Sequence, residues 1–204
     1  MTDHPFTNPF VHVHVPGAAD RAPILLLHGT GGDERDLLPL APEIAPGRAV
    51  LSLRGKVLEN GMPRFFRRLS EGVFDEADVR ARALELAAFL DEARAAYGLA
   101  APVAVGFSNG ANIAAALLYL RPQALAGAVL WRAMQPLATP PEAPIPGTRV
   151  LIASGAMDPI VPAHDAAGLA SRLAEAGADV EHVRLPTGHG LVREDLDRAR
   201  AFLA

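Results

Sequence analysis

The chain contains no cysteine. Disulfides, thiolate metal sites and a cysteine nucleophile are therefore excluded together. The absence suits the cytoplasm, where thiols stay reduced, although it does not exclude secretion. No apolar run approaches the roughly 18 residues that a membrane span needs. The first nine residues carry Asp3, His4 and two prolines in place of an apolar leader core, so a cytoplasmic protein is expected. No stretch of Lys and Arg forms a basic arm, and the formal net charge is −4, so nucleic acid is not an expected partner. Internal repeats and low-complexity linkers are absent too. What remains is 204 residues, 50% hydrophobic and 21% charged, the composition of one globular domain spanning 1–204.

The residues alternate between short apolar runs and amphipathic stretches. Residues 10–15 alternate apolar with polar, as a half-exposed edge strand does. The runs 24–27, 49–53, 103–107, 125–131 and 150–153 are apolar almost throughout, the pattern of strands buried on both faces, and 179–185 alternates again. Between them the clearest helix covers 75–97. Val79, Ala83, Leu86, Leu90, Ala93 and Tyr97 form one apolar stripe, Asp75, Glu76 and Asp78 favour the positive end of the helix dipole, and Gly98 stands where a left-handed cap belongs. Shorter helices are predicted over 33–44, 109–119, 163–177 and 191–203. Strands alternating with helices predict an α/β fold, a mostly parallel sheet with helices on both faces. Ligands bind such sheets at the carboxyl ends of the strands, so chemistry is sought just after each strand.

Residues Gly106 to Gly110 read G-F-S-N-G between a buried strand and a helix of small residues. G-x-S-x-G in that context makes a strained turn that presents the serine hydroxyl to the cleft. The alternative is an ordinary strand-to-helix turn with Ser108 as helix N-cap. A serine hydroxyl needs a base to take its proton, and the base needs a carboxylate to orient it. Asp158 follows the strand ending at Ala153, and His189 follows the strand ending at Leu185. The order Ser108, Asp158, His189 with each on a strand-end loop predicts a catalytic triad. Of the rival acids, Asp165 falls inside a helix and Asp179 opens a strand; His164 and His182 are placed likewise off the loops. Two backbone donors should face the oxyanion: the amide of Asn109, and the amide of Thr30 in His28-Gly-Thr-Gly-Gly32. The latter is not a phosphate loop, because it lacks the Walker lysine. His28 is expected to brace that loop by hydrogen bonding. His12 and His14 share a strand face, but no carboxylate or cysteine cluster completes a metal site, and none is predicted.

H-G-T-G-G, G-F-S-N-G, G-x-x-D-P-x-V-P and G-H-G in this order resemble the carboxylesterase/phospholipase group of α/β-hydrolases, which includes acyl-protein thioesterases. The stretch 54–68, R-G-x(3)-E-x-G-x-x-R-F-F-x-R, is similar to that of bacterial MhqD-like esterases. The resemblance runs from about residue 10 to the end. It implies an α/β-hydrolase fold without a large cap, hydrolysis of small carboxylic esters through an acyl-enzyme, no cofactor, and a chain that can form a homodimer. Dienelactone hydrolases share the architecture but use a cysteine nucleophile, against which Ser108 argues. Thioester or lysophospholipid hydrolysis by the same triad is the alternative activity, and a non-catalytic binding protein on the same fold the alternative class.

The pocket is expected to involve Arg64, Phe65, Phe66, Trp131 and Met134. Trp131 stands where such enzymes often have a small residue, and its bulk is expected to narrow the acyl side. Residues 55–74 show no clear periodicity and are expected to fold over the cleft, as long connections in compact domains are usually functional. Phe65 and Phe66 would either line the cleft or simply pack the loop down. Arg67 and Arg68 read as solvated. Arg64 either pairs with Glu59 to close the loop or offers its fork to a substrate carboxylate; the first is preferred, since Glu59 lies within the same loop.

Overall fold

The computed structural model describes residues 6–7, 9–139 and 143–204. The N-terminal stretch read for a leader lies mostly outside them. In chain order the elements are β1 (His12–Val15), β2 (Ile24–Leu27), α1 (Ala41–Ile44), β3 (Val50–Leu53), β4 (Val57–Glu59), β5 (Met62–Arg64), β6 (Arg68–Ser70), β7 (Val73–Phe74) and α2 (Glu76–Tyr97). There follow β8 (Val103–Phe107), α3 (Asn109–Leu120), β9 (Gly127–Trp131), β10 (Arg149–Gly155), α4 (Ala163–Glu175), β11 (Asp179–Leu185) and α5 (Arg193–Leu203).

Seven strands make one sheet in the order β1-β3-β2-β8-β9-β10-β11. All neighbours are parallel except β1 and β3. The alternating strands β1 and β11 occupy the two edges, and the uniformly apolar ones lie between them, because an inner strand is covered on both faces. From β2 the chain adds β3 on one side and β8 on the other. The loops after β2 and β8 thus diverge at a topological switch point, where a crevice opens.

The two faces carry separate cores. Side chains of α2, α3 and α4 pack with Leu25, Leu27, Leu130 and Ile152 on one; α1 and α5 pack with Leu26, Val105, Val129, Trp131 and Leu151 on the other. Helix α3 is buried along nearly its whole length, which explains its small and apolar composition. Helix α2 begins at Asp75, whose carboxylate accepts from the Asp78 amide, and ends at Gly98 with φ 66.

The predicted helix over 33–44 is instead a series of turns, a short 3₁₀ segment and the single turn α1. Pro39 and Pro42 explain the difference, since neither can donate to a preceding helical carbonyl. The segment 55–74, expected as an irregular loop, forms two hairpins, β4–β5 and β6–β7. Asn60 and Gly61 turn the first with φ of 52 and 82, the two positive values of a type I′ turn.

Candidate active site

Ser108 leaves β8 with φ 51 and ψ −113, a strained conformation for a residue with a side chain. The flanking glycines make that turn possible. A Cβ on Gly106 would stand 2.6 Å from backbone atoms of Gly110 and Ala111, and one on Gly110 would stand 2.0 Å from the Leu27 carbonyl oxygen. Strand, turn and helix can therefore approach this closely only without β-carbons at those two positions. The Ser108 side chain caps no helical amide.

Its Oγ lies 3.0 Å from His189 Nε2, and His189 Nδ1 lies 2.8 Å from Asp158 Oδ2. With the ring proton on Nδ1, the imidazole donates to Asp158 and accepts from the serine hydroxyl. The other carboxylate oxygen of Asp158 accepts from the amides of Ile160, at 2.8 Å, and Val161, at 3.0 Å. Burial by itself would raise the Asp158 pKa; the two amides and the His189 ring outweigh it and hold the group below its ordinary value. An ionised carboxylate thus faces the imidazole. The structure brings together the three residues that the strand-end argument selected, while Asp165 stands off the site beside His164 on α4.

The loop after β2 faces the same crevice. His28 is buried; its Nε2 accepts from the Gly55 amide at 2.9 Å, and its Nδ1 donates to the Gly29 carbonyl at 2.6 Å. Burial lowers its pKa, against smaller opposing effects of the Gly29 carbonyl and nearby carboxylates. The amides of Thr30 and Asn109 donate to no described residue. Their surroundings are held by 63–66: the Gly31 amide donates to the Pro63 carbonyl at 2.9 Å, and the Phe65 amide donates to Asn109 Oδ1 at 2.7 Å. Arg64 completes the brace by donating to Thr30 Oγ1 at 2.7 Å, the Phe66 carbonyl at 3.2 Å and Glu59 at 3.3 Å. His12 and His14 lie apart from all this, both against Tyr97. Among the described residues, no group of three or more His, Asp or Glu could hold a metal ion.

A cavity of about 320 Å³ opens onto Ser108 and His189, with Arg64, Met134, Asn112, Phe107, Phe74 and Val161 among its lining residues. Arg64 and Met134 are thus where the sequence reading put them. Phe65, Phe66 and Trp131 are not. Phe65 lies against His28 and Phe66 against Phe74, both in the core under the hairpins, so the rings pack the segment down. Trp131 belongs to the opposite core, because strand alternation turns it toward α1 and α5 and away from the cavity. Arg68, read as solvated, lines the cavity and donates to Glu59 at 2.9 Å. Asn112 was missed: its Oδ1 accepts from the Met134 amide at 2.8 Å and so holds one wall. Its spacing of three from Asn109, on the same helix face, was the available signal.

A parallel sheet with an acute serine turn after one strand, and an acid and a histidine after two others, defines an α/β hydrolase. A family model described as phospholipase/carboxylesterase matches residues 8–204. The chain belongs to that family, and is an ester hydrolase. It is 43% identical to MhqD of Bacillus subtilis (strain 168) over 193 residues, covering 94% of this chain and 96% of that protein. Among solved structures, a Bacillus cereus carboxylesterase is 45% identical with a TM-score of 0.94, covering 97% of this chain and 94% of its own. A Mesorhizobium loti carboxylesterase is 31% identical with a TM-score of 0.90, covering 100% and 96% respectively. No helix of the described residues is long and apolar enough to cross a membrane.

Proposed function

We propose that this single-domain protein is a serine carboxylesterase acting on small carboxylic esters through an acyl-enzyme. The observation that carries the reading is the continuous pair of contacts from Ser108 Oγ to His189 Nε2, 3.0 Å, and from His189 Nδ1 to Asp158 Oδ2, 2.8 Å. His189 takes the hydroxyl proton as Ser108 Oγ attacks the ester carbonyl carbon. The negative oxygen of the tetrahedral intermediate is met by the Thr30 and Asn109 amides. The intermediate collapses with cleavage of the ester C–O bond, and His189 returns the proton to the departing alkoxide. Water then attacks the acyl-enzyme under the same base, releasing the acid and restoring Ser108. Asp158, ionised throughout, keeps the ring proton on Nδ1 and stabilises the imidazolium.

The cavity size favours small esters over lysolipids, since about 320 Å³ is near the lower end of ligand pockets, roughly 300–1,000 Å³. A cytoplasmic location fits a cysteine-free chain. Fluorophosphonate labelling tests the mechanism. The wild type should be labelled at Ser108, and Ser108→Ala should not, retaining about 10³-fold catalysis over water from binding and the oxyanion donors. Wild-type turnover in the alanine variant would refute the assignment. Rates on an aryl ester, an acyl-thioester and a lysolipid then rank the substrate classes.

A further inference from the structure

Arg132 stands one residue beyond β9 with φ 56, a region that non-glycine residues seldom occupy. Its side chain has no exposed surface. All five of its N–H groups are used. Nε donates to the Gly188 carbonyl at 3.1 Å, and Nη2 to the Gly190 carbonyl at 2.9 Å. Nη1 donates to the Ala153 carbonyl at 3.1 Å, and the two terminal nitrogens grip Asp195 at 2.8 and 2.7 Å. Asp195, equally buried, also accepts from the Val192 amide at 2.8 Å and so belongs to the start of α5.

Gly188 and Gly190 are the residues on either side of His189. Among the described residues, their carbonyls accept from no donor but Arg132. The same short stretch of chain also reaches the other two members of the triad. The Trp131 carbonyl accepts from the Ser108 amide at 2.8 Å, and the Arg132 amide donates to Ala153, on the strand that leads to Asp158, at 2.9 Å. A buried ion pair is a weak source of net stability, because desolvation offsets the attraction. A rigid fork between two peptides is, in contrast, an effective way to fix the residue they enclose.

We propose that Arg132, pinned by Asp195, is a positioning residue that holds His189 in register with Ser108 and Asp158. The proposal rests on the reading of His189 as the general base. Arg132→Lys keeps the charge but replaces a planar fork by a single point, which cannot span Gly188, Gly190 and Asp195 together. Measured at a temperature where circular dichroism shows the variant folded, its kcat should fall about 10²-fold, as a misplacement of about 1 Å can cause. KM should stay within about threefold, and fluorophosphonate labelling of Ser108 should slow in parallel, because the loss is in activation and not in binding. A folded Arg132→Lys enzyme with kcat within about threefold of wild type would overturn the proposal. Should that variant not fold, Asp195→Asn is read by the same criteria, and failure of both to fold would assign the pair to the fold alone and overturn it equally. Wild-type protein that is not labelled at Ser108 would instead sink the serine mechanism, and this proposal with it, before any variant is compared.

Discussion

At the scale of single residues, Asp158 and Arg64 do their work through different partners, and their substitution should read differently. Asp158→Asn keeps the shape of the acid but lets the ring proton settle on the wrong nitrogen, so kcat should drop by about 10⁴ with the fold retained. Asp165→Asn, off the site, should leave turnover unchanged; the reverse pattern in a kinetic comparison would show that the acid is misassigned. Arg64 joins Glu59, Thr30 and the Phe66 carbonyl, so it braces the loop that carries Thr30, one of the two proposed oxyanion donors. Arg64→Ala removes charged hydrogen bonds of about 1.5–3 kcal/mol and should lower both the melting temperature and kcat, alike for neutral esters and for monoesters of dicarboxylic acids. Selective loss of the acidic substrates with unchanged melting would assign its fork to the substrate. That Ser108, Asp158 and His189 meet was legible without coordinates because each follows its own strand. The fivefold satisfaction of Arg132 was not, since Arg132 lies 56 residues from Gly188 and 63 from Asp195 and nothing local marks the pairing.

At the scale of elements, the two hairpins over 55–74 decide how the site is closed. Glu59 accepts from Arg64 and Arg68, linking β5 of the first hairpin to β6 of the second. The turn dipeptide Asn60-Gly61 is a strong hairpin signal, and the strands were overlooked because three residues are too few for alternation to show. A Cβ at Gly61 would touch nothing, so Gly61→Ala isolates the cost of its φ of 82. That substitution should destabilise the hairpin by roughly 1–2 kcal/mol. Hydrogen exchange should show faster opening of β4 and β5 with the central sheet unaffected; uniform acceleration would mean that the hairpin is part of the global unit. The predicted helix over 33–44 fails instead at Pro39 and Pro42, which cannot donate to a preceding helical carbonyl.

At the scale of the whole molecule, pH dependence follows from groups whose ionisation folding opposes or favours. His28 has its pKa lowered from 6.5 by burial. The unfolded chain therefore takes up a proton there that the folded protein resists. Stability should begin to fall as the pH drops below 6.5 and keep falling until the folded group is itself protonated. Asp158, lowered from 3.8, adds a second loss that starts only near that value. Denaturant titrations at several pH values should show the first decline, and His28→Gln, which cannot titrate, should make it shallower, the remainder coming from His14 and His182, whose pKa values burial also lowers. An unchanged slope in that variant would remove His28 from the account.

Local pattern was enough to determine the order of the seven strands of the central sheet and of helices α2 to α5, the serine turn with its two indispensable glycines, and the strand-end positions of Asp158 and His189. Each of these depends on residues within a few positions of one another or on the alternation rules of parallel sheets. The identity of the cavity wall depended on which face of β9 and of the 55–74 segment turned inward, and only packing across the sheet decided that. Trp131 went to the α1–α5 core and Phe65 and Phe66 under the hairpins, leaving Asn112, Arg64 and Arg68 on the wall beside Phe74 and Phe107, because the direction each side chain takes from its strand or helix, and not its size, sets which residues face the crevice.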